Sequence, residues 1–173
     1  MVTAILSAIA LITIPQSSCR HLSSTELDRL IAPIRIAPTF GQRLEAVGAL
    51  QNYWRSTCKS ERAAAPPAVV VKLAQLLWSN EFRFAISSVL FDVGPNLAAG
   101  KSYLDDAITD DRRAYSEAAK QSPVISNGNL NYRPMMCLKR KIESGMEDPT
   151  YCWTLKGLDP PGSVPVSLEG PPH

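Results

Sequence analysis

The stretch Glu81-Phe-Arg-Phe-Ala-Ile-Ser-Ser-Val-Leu90 decides the fold, because it repeats the pattern of Gly41-Gln-Arg-Leu-Glu-Ala-Val-Gly-Ala-Leu50. The two stretches align at a spacing of about 40 residues, which is typical of helix-pair repeats. The paired positions are Arg43 with Arg83, Leu44 with Phe84, Val47 with Ser87, and Leu50 with Leu90. Stacked helix pairs build binding surfaces and imply no fixed chemistry. The register therefore predicts an all-α protein that acts by binding.

The first helix pair is predicted from a cap and from apolar periodicity. Ser23-Ser-Thr-Glu26 has the spacing of a capping box, and apolar residues then recur at helical intervals. Pro33 and Pro38 are expected to break this helix. A long helix is predicted over residues 41–62. Its apolar stripe consists of Leu44, Val47, Leu50, Tyr53, Trp54 and Cys58.

Two further pairs follow. Helices are predicted over residues 68–78 and 81–93, with Pro67 at the helix start and Gly94 at the C-terminal cap. Trp54, Trp78 and Trp153 could line a groove. Trp54 and Trp78 lie at helical spacing from leucines, so we expect them in core or inter-repeat packing, and we expect Trp153 to cover the C-terminal disulfide. A third pair is predicted over residues 96–120, with its turn at Asp110-Asp111.

These features resemble the HEAT-repeat family, particularly its bacterial form. One full repeat is matched by a leucine-rich first helix, a polar turn at Ser79-Asn80, an early arginine at position 83 and a closing Val93-Gly94-Pro95. Half of a second repeat and the start of a third bring the resemblance to residues 27–120. The resemblance implies a short α-solenoid whose second helices line the binding face.

The N-terminus is predicted to be a signal peptide covering residues 1–18. Residues 2–14 carry no charge and are almost entirely apolar, but they are too few to span a bilayer as a helix. An apolar helix packed on the core is the alternative interpretation. We therefore expect export to the periplasm or the extracellular space, with no membrane span.

The four cysteines are an even number in a chain predicted to be exported, which favours disulfides. Cys137 and Cys152 are close in sequence and flank a predicted short helix over residues 135–144, so they are the expected pair. Cys19 with Cys58 follows by elimination. A lipid anchor at Cys19 is the competing interpretation, and Gln16 disfavours it because it departs from the lipidation motif.

Composition changes after residue 120. We predict HEAT-like helices over residues 19–120, an irregular capping region linked by a disulfide over residues 121–158, and a disordered tail over residues 159–173. The tail holds five prolines and two glycines, whereas residues 122–131 are rich in turn-forming residues.

The chemistry-bearing residues give little support to catalysis. Both histidines lie outside the predicted rigid elements, at positions 21 and 173. No cysteine pair has Cys-x-x-Cys spacing, so we expect neither metal nor cofactor. The formal charge of +2 is too small to predict a nucleic-acid partner. The carboxylates open to a glycosidase-type pair are Glu26, Glu45, Glu61 and Glu81.

The leading hypothesis is a non-catalytic, exported protein–protein interaction module with a protein or peptide partner. Arg43, Arg83 and Asp92 are candidates for an interface row, although repeat arginines more often bond neighbouring carbonyls and carboxylates. The alternatives are a small helical envelope hydrolase acting on peptidoglycan, and an inhibitor or immunity protein against an exported toxin.

Overall fold

The computed structural model describes residues 19–121, 131–145 and Cys152, together with the backbone of residues 124–126 and 163–165. The prediction of an all-α fold with a disulfide-linked C-terminal region is confirmed. Strands β1 (Val124–Ser126) and β2 (Ser163–Pro165) pair in parallel as a minor addition. The predicted signal peptide lies outside the described residues, as does the predicted tail apart from the backbone of β2.

Helix α1 (Ser24–Ile36) begins as the capping box predicts, because Ser23 Oγ accepts a hydrogen bond from the Glu26 amide at 3.3 Å. The prediction that Pro33 breaks this helix is wrong. Proline removes one amide donor, but the carbonyl of Pro33 still accepts from the Ala37 amide at 2.9 Å. Burial of the apolar face of α1 against the core outweighs that single lost bond.

The predicted helix over residues 41–62 is divided in two, α2 (Phe40–Ser56) and α3 (Lys59–Ala63). The break coincides with a backbone bridge to the N-terminal segment. The Arg20 amide donates to the Ser56 carbonyl at 2.8 Å, and the Cys58 amide donates to the Arg20 carbonyl at 2.9 Å. These long-range bonds replace the helical bonds that would have continued α2.

The second pair consists of α4 (Pro67–Ala74) and α5 (Arg83–Phe91), and Pro67 occupies the first turn of α4 as predicted. Both predicted helices are tightened at the turn between them, where 3-10 segments occupy Gln75–Trp78 and Asn80–Phe82. A 3-10 segment needs fewer residues to span a given distance, because its rise per residue is larger than that of an α-helix.

Gly94 is required for a reason other than the predicted helix cap. Its φ of −83° is not the left-handed conformation that a glycine cap adopts, and α5 already ends at Phe91. A Cβ at position 94 would lie 2.6 Å from the Ala63 carbonyl oxygen, to which the Gly94 amide donates at 2.8 Å. The close approach of two backbone segments therefore explains the glycine.

The third pair differs most from the prediction. Helix α6 (Lys101–Gln121) runs unbroken through Asp110-Asp111, where a turn was predicted, because the Asp111 side chain is buried against Arg83. The partner of α6 is instead α7 (Tyr132–Ser144), which includes the predicted helix over residues 135–144. Gly145 closes α7 at a φ of 69°, as predicted for a glycine cap.

Apart from the short α3, the described α-helices form two layers of three. Helices α1, α4 and α6 form the first layer, and α2, α5 and α7 form the second layer. Within the first layer, Lys72 Nζ donates to Asp28 at 2.7 Å and thereby joins α4 to α1. Helix α5 lies between α2 and α7, so it is the central helix of the second layer. An apolar core lies between the two layers, and the second-layer helices pack side by side over it.

Candidate functional site

Exposed apolar side chains gather at one edge of the molecule, where the first-layer helices turn into the second layer. We call this set the turn edge; it consists of Ile36, Phe40, Leu44, Trp78 and Phe84. Between 45% and 78% of each of these residues is exposed to solvent. Within the described part of the chain, these are the exposed large hydrophobic residues, and each lies within a few residues of the α1–α2 turn or the α4–α5 turn.

Two contacts bring the turns of the first and second pairs together at this edge. The rings of Phe40 and Phe82 stack with centroids 5.8 Å apart and planes 10° from parallel. Arg43 Nη2 donates to Glu81 Oε2 at 3.2 Å. The turn edge is therefore one surface built from both helix pairs.

A cavity of about 240 Å³ opens beside the turn edge, between α5 and α7. We call it the α5–α7 cavity; it is lined by Phe84, Ser87, Ser88, Phe91, Asp92, Pro134 and Cys137. Phe84 belongs to both features, so the cavity and the turn edge are continuous. The lining combines aromatic and apolar walls with a small number of polar groups, which is the usual composition of a binding pocket.

The two serines of this cavity differ in hydrogen bonding. Ser88 Oγ donates to the Ala85 carbonyl at 2.7 Å and lies 3.3 Å from the Gln51 side-chain amide. Ser87 is 1% exposed, and its hydroxyl has no hydrogen-bond partner. A buried hydroxyl without a partner costs free energy, so its persistence needs an explanation such as a ligand.

The three candidate interface residues lie in three different environments. Arg43 is partly exposed in its pair with Glu81, next to the turn edge. Asp92 lines the α5–α7 cavity, and its carboxylate accepts a hydrogen bond from Arg62 at 2.5 Å. Arg83 is only 4% exposed, and it bonds a carbonyl and a carboxylate, the role that the sequence favoured for repeat arginines.

Arg83 instead joins α5 to α6. Its Nε donates to the Leu77 carbonyl at 2.8 Å, and its Nη1 donates to Asp111 Oδ1. Burial raises the pKa of Asp111 above its ordinary value, while the nearby Arg83 charge acts in the opposite direction. The pair is structural, because neither group reaches the surface.

The sequence interpretation misplaced two members of the turn edge. Leu44 was assigned to the buried stripe of α2 and Trp78 to the core, yet they are 50% and 62% exposed. Trp54 is buried as expected, and Trp153 lies outside the described residues. The sequence did contain one signal for the cavity. Among the four paired positions of the repeat, only Val47 and Ser87 differ in polarity, and Ser87 lines the α5–α7 cavity.

The cysteines pair as predicted. Cys19 and Cys58 form one disulfide and Cys137 and Cys152 the other, with Cα atoms 4.9 and 5.8 Å apart. The sulfur of Cys19 is thus bonded to Cys58, and a lipid thioether at Cys19 is incompatible with this bond. Among the described residues, no helix has the length and apolar character needed to cross a membrane.

Three of the four carboxylates considered for hydrolysis have structural partners, and Glu81 among them pairs with Arg43. The Leu22 amide and, secondarily, His21 lower the pKa of Glu61. A hydrogen bond from Arg29 lowers the pKa of Glu26. A general acid in a glycosidase needs a raised pKa, so neither residue is suited to that role.

The sequence also contains a Gly-Lys-Ser ending, which occurs in phosphate-binding loops, but here the stretch that carries it packs between helices. The Gly94 to Ser102 stretch, which ends in Gly-Lys-Ser, forms a 3-10 segment followed by the start of α6, and Gly100 faces the Ala74 and Val70 side chains. In the part of the chain that the structure describes, no group of three or more His, Cys, Asp or Glu side chains is arranged to hold a metal ion.

The chain matches no protein-family model, no curated protein and no solved structure. The likeness to HEAT repeats accordingly stays a prediction from sequence, and the function is inferred from the surface alone.

Proposed function

We propose that the protein is an exported, non-catalytic interaction module whose protein or peptide partner binds the turn edge and the adjoining α5–α7 cavity. The observation that carries this proposal is the concentration of exposed apolar residues at one edge. Contiguous apolar surface of this kind commonly marks an interaction site in a soluble protein.

The two-layer architecture supports the same conclusion. Side-by-side second-layer helices offer a broad face, as stacked helix pairs do in proteins that bind other chains. Rigid attachment of the face helps binding, because a pre-organised surface loses less conformational entropy when a partner docks. The stacked rings of Phe40 and Phe82 supply that rigidity between the two turns.

Export is supported by the two disulfides and by the apolar segment over residues 2–14. Disulfides persist in oxidising compartments such as the periplasm or the extracellular space, and they are rare in the cytosol. A small exported domain also gains stability from them, because its core is limited in size.

The test is affinity capture from the envelope fraction of the native host, with matched surface variants as bait. We expect the wild-type chain to enrich a defined partner, and a Leu44→Glu/Phe84→Glu variant to lose it. Ala114 is exposed on α6 in the first layer, so Ala114→Glu is the matched control and should retain the partner.

Two results would contradict the proposal. One is a partner whose recovery is unchanged by charges at the turn edge. The other is turnover of a cell-wall substrate that a Glu→Gln substitution at position 26, 45, 61 or 81 abolishes. Circular dichroism of each variant confirms that the helices are intact before capture.

A further inference from the structure

Ser87 departs from the repeat register in a way that packing does not explain. Its equivalent in α2 is Val47, which is 2% exposed, and Ser87 itself is 1% exposed. The next paired position, Leu50 and Leu90, is apolar and buried in both helices. A hydroxyl therefore replaces an apolar group at one buried position, and that position lines the α5–α7 cavity.

The size of the cavity limits its ligand. Pockets for drug-sized molecules occupy roughly 300–1,000 Å³. At about 240 Å³ the α5–α7 cavity is smaller than this range, so it suits one side chain and not a whole cofactor. Aromatic side chains are the usual anchors of protein interfaces, and they fill such pockets at the centre of the contact.

The polar groups of the cavity favour a neutral side chain with a hydroxyl. Asp92 is already paired with Arg62, and a buried cation without its own carboxylate would carry a large desolvation cost. Ser87 has a hydroxyl that can both donate and accept, and no neighbour uses it. A phenol matches this group, because its hydroxyl also donates and accepts while its ring packs on apolar walls.

We propose that the α5–α7 cavity binds a tyrosine side chain of the partner, with its ring against Phe84 and Phe91 and its hydroxyl bonded to Ser87. This inference rests on the proposed function, and it specifies the residue by which the partner is anchored. A phenylalanine would fill the same walls but would leave the Ser87 hydroxyl unpaired.

The experiment is an NMR titration of the full chain with N-acetyl-tyrosinamide and N-acetyl-phenylalaninamide. In the wild type we expect both amides to shift signals around residues 84–92, with the tyrosine derivative binding about 10-fold tighter, the upper range for one buried hydrogen bond. In Ser87→Ala this preference should vanish, and in Ser87→Thr, which retains a hydroxyl, it should persist.

Ser116→Ala is the matched control, because Ser116 is exposed on α6 and does not line the α5–α7 cavity. It should keep the tyrosine preference. Ser87→Ala should remain folded, since it removes a buried group without a partner and introduces a better helix former. A melting temperature of Ser87→Ala close to that of the wild type would show that the lost preference reflects the missing hydroxyl and not unfolding.

The inference is overturned by equal affinity for the two amides in the wild type, by a preference that survives Ser87→Ala, or by no binding of either amide. If one of these occurs while Leu44→Glu/Phe84→Glu still abolishes partner capture, the proposed function stands and only the anchor is wrong. If the preference is found but the turn-edge charges leave capture unchanged, the cavity binds tyrosine and the proposed docking surface fails.

Discussion

Helices α2 and α5 share a sequence register, but they differ in what holds them in place. Helix α5 has a second-layer neighbour on each side and an arginine buried against Asp111. Among the described helices, α2 has a second-layer neighbour on one side only, and its equivalent arginine is exposed enough to pair with Glu81 at the surface. The C-terminal end of α2 is instead fastened by the Cys19–Cys58 disulfide and the backbone bridge at Arg20. The outer helix α2 is thus fastened by a covalent link in addition to its packing, whereas the central helix α5 is held by packing and a buried ion pair.

The largest expected effect comes from removing the fastening of α2. The Cys19–Cys58 disulfide has a sequence separation of 39, which corresponds to about 4 kcal/mol in the chain-entropy model. We expect Cys19→Ser/Cys58→Ser to lower the free energy of unfolding by that amount. Hydrogen exchange should accelerate in α1 and α2 before it does in α5.

The control for this prediction is Cys137→Ser/Cys152→Ser, which opens a shorter loop with a separation of 15 and should cost roughly 3 kcal/mol. Its hydrogen exchange should accelerate in α7 and leave α2 protected. Equal acceleration in α2 and α5 after loss of Cys19–Cys58 would show that the fastening is not local to α2.

The two arginines in register provide the next comparison. Arg83→Met leaves the Asp111 carboxylate buried without its partner, and we expect a cost of about 3 kcal/mol. Arg43→Met removes a surface pair and should cost less than about 1 kcal/mol. Urea denaturation of both variants at neutral pH measures the difference, and equal costs would contradict the contrast between the two helices.

The cost of Arg83→Met should also depend on pH. The pKa of Asp111 is raised by burial, so its carboxyl binds a proton in the folded state at a pH where the unfolded chain does not. Folding stability linked to this group therefore falls as pH rises from the ordinary aspartate range through the raised pKa. We expect Arg83→Met to recover stability on acidification, and the recovery should be absent in Arg83→Met/Asp111→Asn.

Two glycines, one after α5 and one inside α2, extend this comparison with smaller expected effects on stability. Gly94 follows α5, and a Cβ there would meet the Ala63 carbonyl oxygen, so Gly94→Ala should cost about 2 kcal/mol. Gly48 lies inside α2 with no atom within 4 Å of an added Cβ, so Gly48→Ala should stabilise by about 1 kcal/mol. Thermal denaturation of the two variants should give shifts of opposite sign, and a loss for both would contradict the proposed reason for Gly94.

The smallest effect concerns the attachment of the N-terminal segment to α3. The Leu22 amide donates to Glu61 at 2.5 Å and lowers the pKa of that carboxyl, with His21 adding to the effect. Stability from a lowered pKa is present above the ordinary glutamate value and is lost as pH falls through the lowered pKa. Glu61→Gln should therefore be less stable than wild type at neutral pH, with the gap closing in acid.

Sequence patterns predicted the elements whose causes lie within one helical turn. Ser23 starts α1, Pro67 starts α4 and Gly145 ends α7, because caps and proline act through neighbouring backbone groups. The cysteine pairs were also predictable, since an even number and their spacing left few combinations. The candidate site was predicted only in part, through Arg43 and Asp92, because neither the turn edge nor the α5–α7 cavity has a local motif.

The sequence by itself determined the all-α class, several helix ends and the disulfide pairing, whereas the tertiary structure decided where helices break and which side chains face solvent. Arg83 and Asp111 are 28 residues apart, and their contact keeps α6 straight through a predicted turn. The Cys19–Cys58 disulfide is also a long-range contact, across 39 residues, and it coincides with the break in a helix that the sequence predicts to be continuous. Periodicity reports only that a position is apolar, and it cannot say whether another helix will cover it. Leu44 and Trp78 are exposed for this reason: no described helix packs over the turn edge.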